Sequence, residues 1–245
     1  MKGILDRISY QDSSMRRYKS PTDMGVNMAK EGIVDDTGVR AAARQEIIRR
    51  WFRYAWEVKQ GVERKETLAV VEKLMQEVGV REVDRPVVPP ARKAAEEARA
   101  LGKGNRGVFC GAALELADGT IVPGMNTPLL HAESAAILNA VKRLAGIPEP
   151  IDLLSETIIR NIATMKKDIL GSKSESLNVE EVLIALSISA AHSPASEVCL
   201  HKLEQLAGCE FHSTHTIGKG DENGLRRLRL NVTTDGAPTS RGFFY

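Results

Sequence analysis

Two side chains that together can carry out proton chemistry stand two positions apart at the start of a predicted helix. His131 and Glu133 open an alanine-rich stretch that runs to Gly146. A neutral imidazole can bind a metal ion, and a carboxylate beside it can move protons to and from a ligand. The pattern also fits an ordinary helix start, because a carboxylate in the first turn complements the helix dipole and has a lowered pKa. His131 and Glu133 are therefore the candidate catalytic residues, with plain helix capping as the alternative.

The His-x-Glu pattern resembles half of the signature of zinc-dependent deaminases, in which the histidine binds zinc and the glutamate shuttles protons. The other half is Pro-Cys-x-x-Cys on a later helix, and the nearest match begins at Pro194. Ala195 and Val198 stand at the two cysteine positions. Cys199 is one residue out of register, which turns its side chain by about 100° on a helix. Because a catalytic zinc site needs three protein ligands, we expect no stoichiometric zinc, no other metal and no cofactor.

A second candidate site lies in the segment YKSPTDMGVN at residues 18–27. A turn of this composition can present backbone N–H groups to an anion, and it can equally cap a helix without any ligand. Arg49 and Arg50 on the following predicted helix are candidate anion-binding side chains, with pairing to nearby glutamates as the alternative. The candidate ligand-binding side chains of the segment itself are Ser20, Thr22, Asp23 and Asn27.

Other short motifs do not lead to a site. The sequence GKGNRG at residues 102–107 spells a dinucleotide-binding pattern, but it closes a predicted helix and precedes a predicted strand, which is the reverse of the required order. Cys209 and His212 are three residues apart on a predicted strand, so their side chains face opposite sides and cannot form a local nucleophile pair.

Composition excludes several classes of protein. Charged residues make up 27% of the 245, but the net charge is only +2, so we expect neither nucleic acid nor a membrane surface as a partner. The three cysteines show no paired spacing, which is typical of a reducing compartment. Charges near Met1 interrupt any secretory signal, and no apolar run reaches about 18 residues. We therefore expect a cytoplasmic location.

Periodicity divides the chain into a helical part and an α/β part. We predict a helical subdomain at residues 1–105 that contains the SPTDMGVN loop, and a layered α/β subdomain at residues 106–245. In the first part, a connector at 84–90 is predicted to be extended, and a helix at 91–101 to be solvated. In the second part, the predicted strands are 108–116, 120–125, 151–154, 209–216 and 230–234. The predicted helices there begin at His131 and cover 156–168, 179–191 and 194–206.

Several stretches, in conserved order along the chain, together resemble one bacterial family of unknown function, DUF1846 (also called UPF0371). The resemblance implies an α/β C-terminal subdomain of cytidine-deaminase-like topology after a helical one, and a longer protein of which this chain is the C-terminal half. It implies no established activity; some members carry a peptidase label, but the chain has no peptidase motif. At His131 and Glu133 the chain departs from the small residues of many members. The matching stretches are YKSPTDMGVN, QEIIRRWF, DRPVV, TPLL, LGSK, EVLIALSISA and CEFHST.

Together these features favour a metal-independent enzyme that acts on or binds a nucleotide or another phosphate-bearing metabolite. Its site would join the loop at 18–27 to the His131 helix start and be completed by the family's N-terminal half. The first alternative is a non-catalytic binding or assembly module on a deaminase fold that has lost its zinc site. A zinc-dependent deaminase or hydrolase with displaced ligands is the second. A wide apolar stripe, from Ile47 to Trp56, further predicts an interface, either with the α/β half or with a second chain, and we expect a homo-oligomer.

Overall fold

The computed structural model describes residues 36–238. The chain divides into two compact units, Met1–Glu46 and Ile47–Tyr245. Of the first unit, the described residues are helical and belong to the beginning of helix α1 (Asp36–Lys59). The remaining helices and the strands belong to the second unit.

The described chain alternates helices with four short strands. The further helices are α2 (Lys65–Val78), α3 (Val88–Ala100), α4 (Ala132–Ala145), α5 (Glu156–Thr164), α6 (Val179–Ala190), α7 (Pro194–Lys202) and α8 (Lys219–Arg227). The strands are β1 (Gly111–Glu115), β2 (Ile121–Met125), β3 (Glu210–His215) and β4 (Asn231–Ala237). Short 3-10 turns occur at Glu82–Asp84 and Leu203–Leu206, and a π-helical turn at Met165–Ile169 follows α5.

The four strands form one mixed sheet in the order β2-β1-β3-β4. β1 runs antiparallel to both β2 and β3, whereas β3 and β4 are parallel. The β1–β2 hairpin predicted from Asp118-Gly119 is present, and Gly119 adopts the positive φ of 81° that such a turn needs. The predicted α/β class is therefore confirmed, while the deaminase-like topology and the domain boundary at 105 stay predictions.

Helices cover both faces of the sheet. On one face, Ala112, Leu114 and Phe211 pack with α4 and the later helices in the largest hydrophobic cluster of the described residues. On the other face, Ala113 packs with Ala91 of α3 in a smaller cluster. Because neighbouring strand residues point to opposite faces, β1 contributes to both clusters.

Two glycines allow these helices to approach the sheet closely. A Cβ added at Gly124 of β2 would lie 2.3 Å from the backbone nitrogen of Ala136 in α4. A Cβ added at Gly111 of β1 would lie 2.0 Å from the carbonyl oxygen of Ala91 in α3. The position of α4, and with it of His131, therefore depends on glycine in β2.

Three local predictions were wrong. The connector at 84–90 is not extended throughout, because α3 begins at Val88 and takes Pro89 and Pro90 into its first turn, where no N–H is needed. The helix predicted as solvated buries its alanines, among them Ala94, because their small side chains let it pack closely on the sheet.

Residues 151–154 are not a strand. Leu153 and Leu154 are both buried, so these neighbours do not alternate between two faces as strand residues do. The carbonyl of Leu153 accepts a hydrogen bond from the Ser196 hydroxyl instead of a ladder partner. Within residues 36–238, no helix is both long and apolar enough to cross a membrane.

Candidate functional site

The candidate site forms where α4 begins. His131 is the N-cap residue, with extended backbone angles, and its N–H donates to the carbonyl of Leu177 at 3.0 Å. Its own carbonyl accepts from the N–H of Ala135 at 3.0 Å, which starts the helix. Glu133 therefore lies in the first turn, as the sequence predicts. The link to Leu177 fixes the helix start against the segment that leads into α6.

A buried aspartate from a distant helix holds the imidazole. The Nδ1 atom of His131 lies 2.8 Å from Oδ2 of Asp221, which belongs to α8 and is only 2% exposed. The other oxygen of Asp221 accepts from the N–H of Val179, the first residue of α6, at 2.9 Å. The His131 side chain remains 33% exposed, so the ring can be reached from outside. This arrangement fixes the ring through its Nδ1 atom.

Burial lowers the pKa of His131, but the hydrogen bond and the charge of Asp221 outweigh it and bring the pKa above its usual value. The nearby ammonium of Lys166 acts in the opposite direction. Lys166 is itself buried, donates to the carbonyl of Ser176, and forms an ion pair with Glu181 at 2.7 Å.

Glu133 is buried, and its pKa is raised, not lowered. The side chain is 5% exposed, and Oε1 accepts a hydrogen bond of 2.5 Å from the hydroxyl of Ser213 on β3. Burial, together with the negative charge of Asp221, raises the pKa of Glu133 to about 7. The expectation of a lowered pKa was therefore wrong, because loss of solvent outweighs the favourable field of a helix start.

The three titratable side chains form one compact group. His131, Glu133 and Asp221 each offer one ligand atom, and these atoms lie within 4.8 Å of one another. They are the set, among residues 36–238, that could hold a metal ion. Sequence reasoning found the first two and missed Asp221 and Ser213. The only local signal for Asp221 is its place near a helix start, which most capping aspartates share.

The positions of the deaminase cysteines do not join this group. Val198 is 44% exposed, and Cys199 is fully buried in the large hydrophobic cluster. The residues present therefore do not fit the zinc site of a deaminase. A different cysteine, Cys110, is affected by the group. Burial raises the pKa of its thiol well above the usual range, and the negative charges of Glu133 and Asp221 raise it further.

The predicted anion-binding residues are not brought to His131. Arg49 donates to Oε1 of Glu210 at 2.7 Å, at the beginning of β3, and Arg50 is exposed. The candidate residues Ser20, Thr22, Asp23 and Asn27 lie outside the described residues, so their proximity to the group stays a prediction.

The opposite face of the sheet carries a buried ionic network. Arg85, which is fully buried, donates to Glu210, to the Thr233 hydroxyl and to two backbone carbonyls. Arg92 donates two hydrogen bonds to Asp235, at 3.0 and 2.8 Å. These donors are saturated by protein oxygens, so the network serves the packing of the sheet.

Two further groups complete this network. His212 lies with Nε2 3.5 Å from Asp235, and burial lowers its pKa. Burial tends to raise the pKa of Asp235, but the nearby His212 and the two hydrogen bonds from Arg92 hold it well below its usual range. His212 thus faces the side away from Cys209, in agreement with the prediction that the two form no nucleophile pair.

A shallow cleft of about 390 Å³ lies between α3 and β2, lined by residues such as Pro90, Ala94 and Ile121. Its walls are mainly apolar and contain none of the candidate residues. The candidate site therefore does not lie in this cleft.

Two family models match the chain in succession. The C-terminal domain of "Domain of unknown function DUF1846" matches residues 83–244, and the N-terminal domain of the same name matches residues 1–79. The group formed by His131, Glu133 and Asp221 lies wholly within the C-terminal match.

The relatives carry only uncharacterised names. A "UPF0371 protein" of Clostridium botulinum Type A is 44% identical over 246 residues, which covers 100% of this chain and 48% of the relative. A "UPF0371 protein" of Clostridium tetani is 42% identical over 245 residues with the same coverage. The chain thus spans about half the length of the curated relatives it matches.

Proposed function

The chain belongs to the uncharacterised DUF1846 family, and from that premise we propose that it carries the catalytic site of a small-molecule enzyme at the start of α4. The ligand class we propose is a nucleotide or another phosphate-bearing metabolite. One observation carries the proposal: two buried carboxylates and a partly exposed imidazole meet there, although Asp221 is 90 residues from His131 in sequence. Buried charged groups are costly unless they are paired, and such clusters concentrate at functional sites.

Burial argues against a plain capping role for Glu133. A carboxylate that only complements a helix dipole does so at the surface, where water keeps it ionised. Glu133 instead points into the protein, toward Ser213 of the neighbouring strand. A side chain that only caps a helix can stay in solvent, whereas Glu133 is desolvated, and this desolvation raises its pKa. The arrangement therefore favours a role for Glu133 in binding or converting a ligand.

The contacts suggest a division of roles. Asp221 positions His131 through Oδ2, while its Oδ1 accepts from the N–H of Val179. Ser213 positions Glu133 in the same way. His131 and Glu133 are then the residues proposed to contact an amino or hydroxyl group of the ligand.

A thermal-shift panel of nucleotides and phosphometabolites on the complete protein tests the proposal. At a ligand concentration of about 100 Kd, mass action adds about 2.7 kcal/mol to stability, which is easily measured. For a ligand that shifts the melting temperature, Glu133→Gln and His131→Asn are compared with the parent. We expect Glu133→Gln to lose turnover, and to lose more than His131→Asn.

Two results would refute the proposal. If Glu133→Gln bound and turned over the ligand like the parent, the site would lie elsewhere. If no ligand in the panel shifted the melting temperature while the protein formed a stable oligomer, the non-catalytic assembly module would become the better account.

A further inference from the structure

The group of His131, Glu133 and Asp221 has the composition of a metal site that differs from the deaminase one. It combines one imidazole nitrogen with two carboxylate oxygens from separate helices. Ligand atoms at about 2.0–2.3 Å from one ion lie at most about 4.6 Å apart. The observed limit of 4.8 Å is close to this value, and an ion bound here would replace the hydrogen bond between Nδ1 of His131 and Oδ2 of Asp221.

The local charge favours a cation. Glu133 and Asp221 are both buried, and a nearby positive charge, Lys166, is already paired with Glu181. A divalent ion bound among the three would balance both carboxylates at once.

Each of the two carboxylates also accepts a hydrogen bond from a residue outside the group. Asp221 accepts from the N–H of Val179, and Glu133 accepts from the hydroxyl of Ser213. Metal-binding carboxylates characteristically have such hydrogen-bonded supports, which orient their free lone pairs toward the ion. These donors come from the backbone of α6 and from β3, so the supports do not depend on the group itself.

We propose that His131, Glu133 and Asp221 bind one divalent cation of the Mn²⁺ or Zn²⁺ type, with open coordination positions for a ligand. Imidazole suits zinc, and carboxylates suit manganese, so a mixed set accepts both. With three protein ligands, coordination sites remain for water or substrate.

The cation deepens the proposed function, on which this inference rests. A phosphate group would be repelled by two buried carboxylates. A divalent ion held by them removes that repulsion, since ions held by one or two carboxylates commonly also bind substrate phosphate. The same site would then accept an anionic metabolite close to His131.

The test is titration of the chelator-treated full chain with Mn²⁺, followed by calorimetry and by electron paramagnetic resonance. We expect one ion per chain and a magnetic coupling to an imidazole nitrogen. Glu133→Gln keeps the size of the side chain and should weaken binding at least 10-fold, in line with losses at metal sites. The matched control is Glu115→Gln, which changes another partly buried glutamate of raised pKa outside the group.

The outcomes separate the two proposals. Absence of binding, absence of nitrogen coupling, or equal binding by Glu133→Gln and the parent would each overturn the cation site. Should Glu133→Gln not fold, the nitrogen coupling of the parent decides alone. If a phosphometabolite shifts the melting temperature of the metal-free protein and Mn²⁺ does not bind, the proposed function stands and the cation site fails. If Mn²⁺ binds and no phosphometabolite has an effect, the cation site stands and the proposed function fails.

Discussion

Replacing Gly124 by alanine should disturb both the stability of the protein and its candidate site. The new methyl group would lie 2.3 Å from the nitrogen of Ala136, 2.6 Å from the carbonyl oxygen of Ala132 and 2.7 Å from the Cα of Ala136. All three atoms belong to the backbone of α4, so no side chain can rotate away. The helix must therefore move away from β2.

The size of the effect follows from these distances. Contacts below 3.0 Å are not tolerated, and relief requires a displacement of α4 by about 1 Å. Overpacking of this kind typically costs about 1–3 kcal/mol, and we expect the upper end because three rigid atoms are involved. A displacement of about 1 Å also moves His131 and Glu133 relative to Asp221, so we expect the proposed Mn²⁺ site to lose affinity.

Urea denaturation at neutral pH measures the first effect, and affinity for Mn²⁺ measures the second. Gly218→Ala serves as the control for stability only, because Gly218 has a negative φ of −72° and the nearest atom to its added Cβ, Oδ2 of Asp221, is 3.5 Å away. We expect the control to lose less than about 1 kcal/mol. If Gly124→Ala were as stable as the control, the close approach of α4 to β2 would not be what fixes the helix.

Three further substitutions test the ionic network and a helix cap. Arg85→Lys should destabilise the protein by about 3 kcal/mol or more in urea denaturation, because an ammonium cannot replace a guanidinium that binds Glu210 and several other oxygens; a loss below 1 kcal/mol would contradict this. Asp235→Asn should cost about 1–3 kcal/mol at pH 7. Since the folded pKa of Asp235 is depressed, its contribution exists above the unfolded pKa of about 3.9 and is lost as the pH falls below it, so parent and variant should converge at low pH; an unchanged gap at pH 2 would refute the assignment. Asn178→Ala should cost about 1 kcal/mol in thermal unfolding, because Asn178 caps α6 by accepting from the N–H of Glu181 at 3.0 Å; an unchanged melting temperature would show that the cap contributes nothing.

The elements predicted well are those whose signals are local. The hairpin turn at Asp118-Gly119 and the start and end of the helix between His131 and Gly146 depend on neighbouring residues, and the structure has them there. The errors come from packing. Pro89 and Pro90 act as helix starters because α3 lies on the sheet, and Leu153 and Leu154 are buried without a strand partner. Neither fact is encoded in the nearest neighbours.

The site shows the same division. The spacing of His131 and Glu133 on one helix start is visible in the sequence. Their partners are 90 and 80 residues away, so only the fold brings Asp221 and Ser213 to them. The direction of the Glu133 pKa was missed for the same reason, because burial is a tertiary property.

Asp221 joins three helices through one carboxylate. It belongs to α8, binds the first N–H of α6 and orients the residue that caps α4. Local opening of α8 would remove this carboxylate from both helix starts at once, so the N–H of Val179 and the His131 imidazole would lose this partner together. Hydrogen exchange at the amide of Val179 therefore reports, from a position within the fold, on whether His131 is engaged. A ligand at the imidazole that stabilises these contacts slows exchange at a helix that it does not touch.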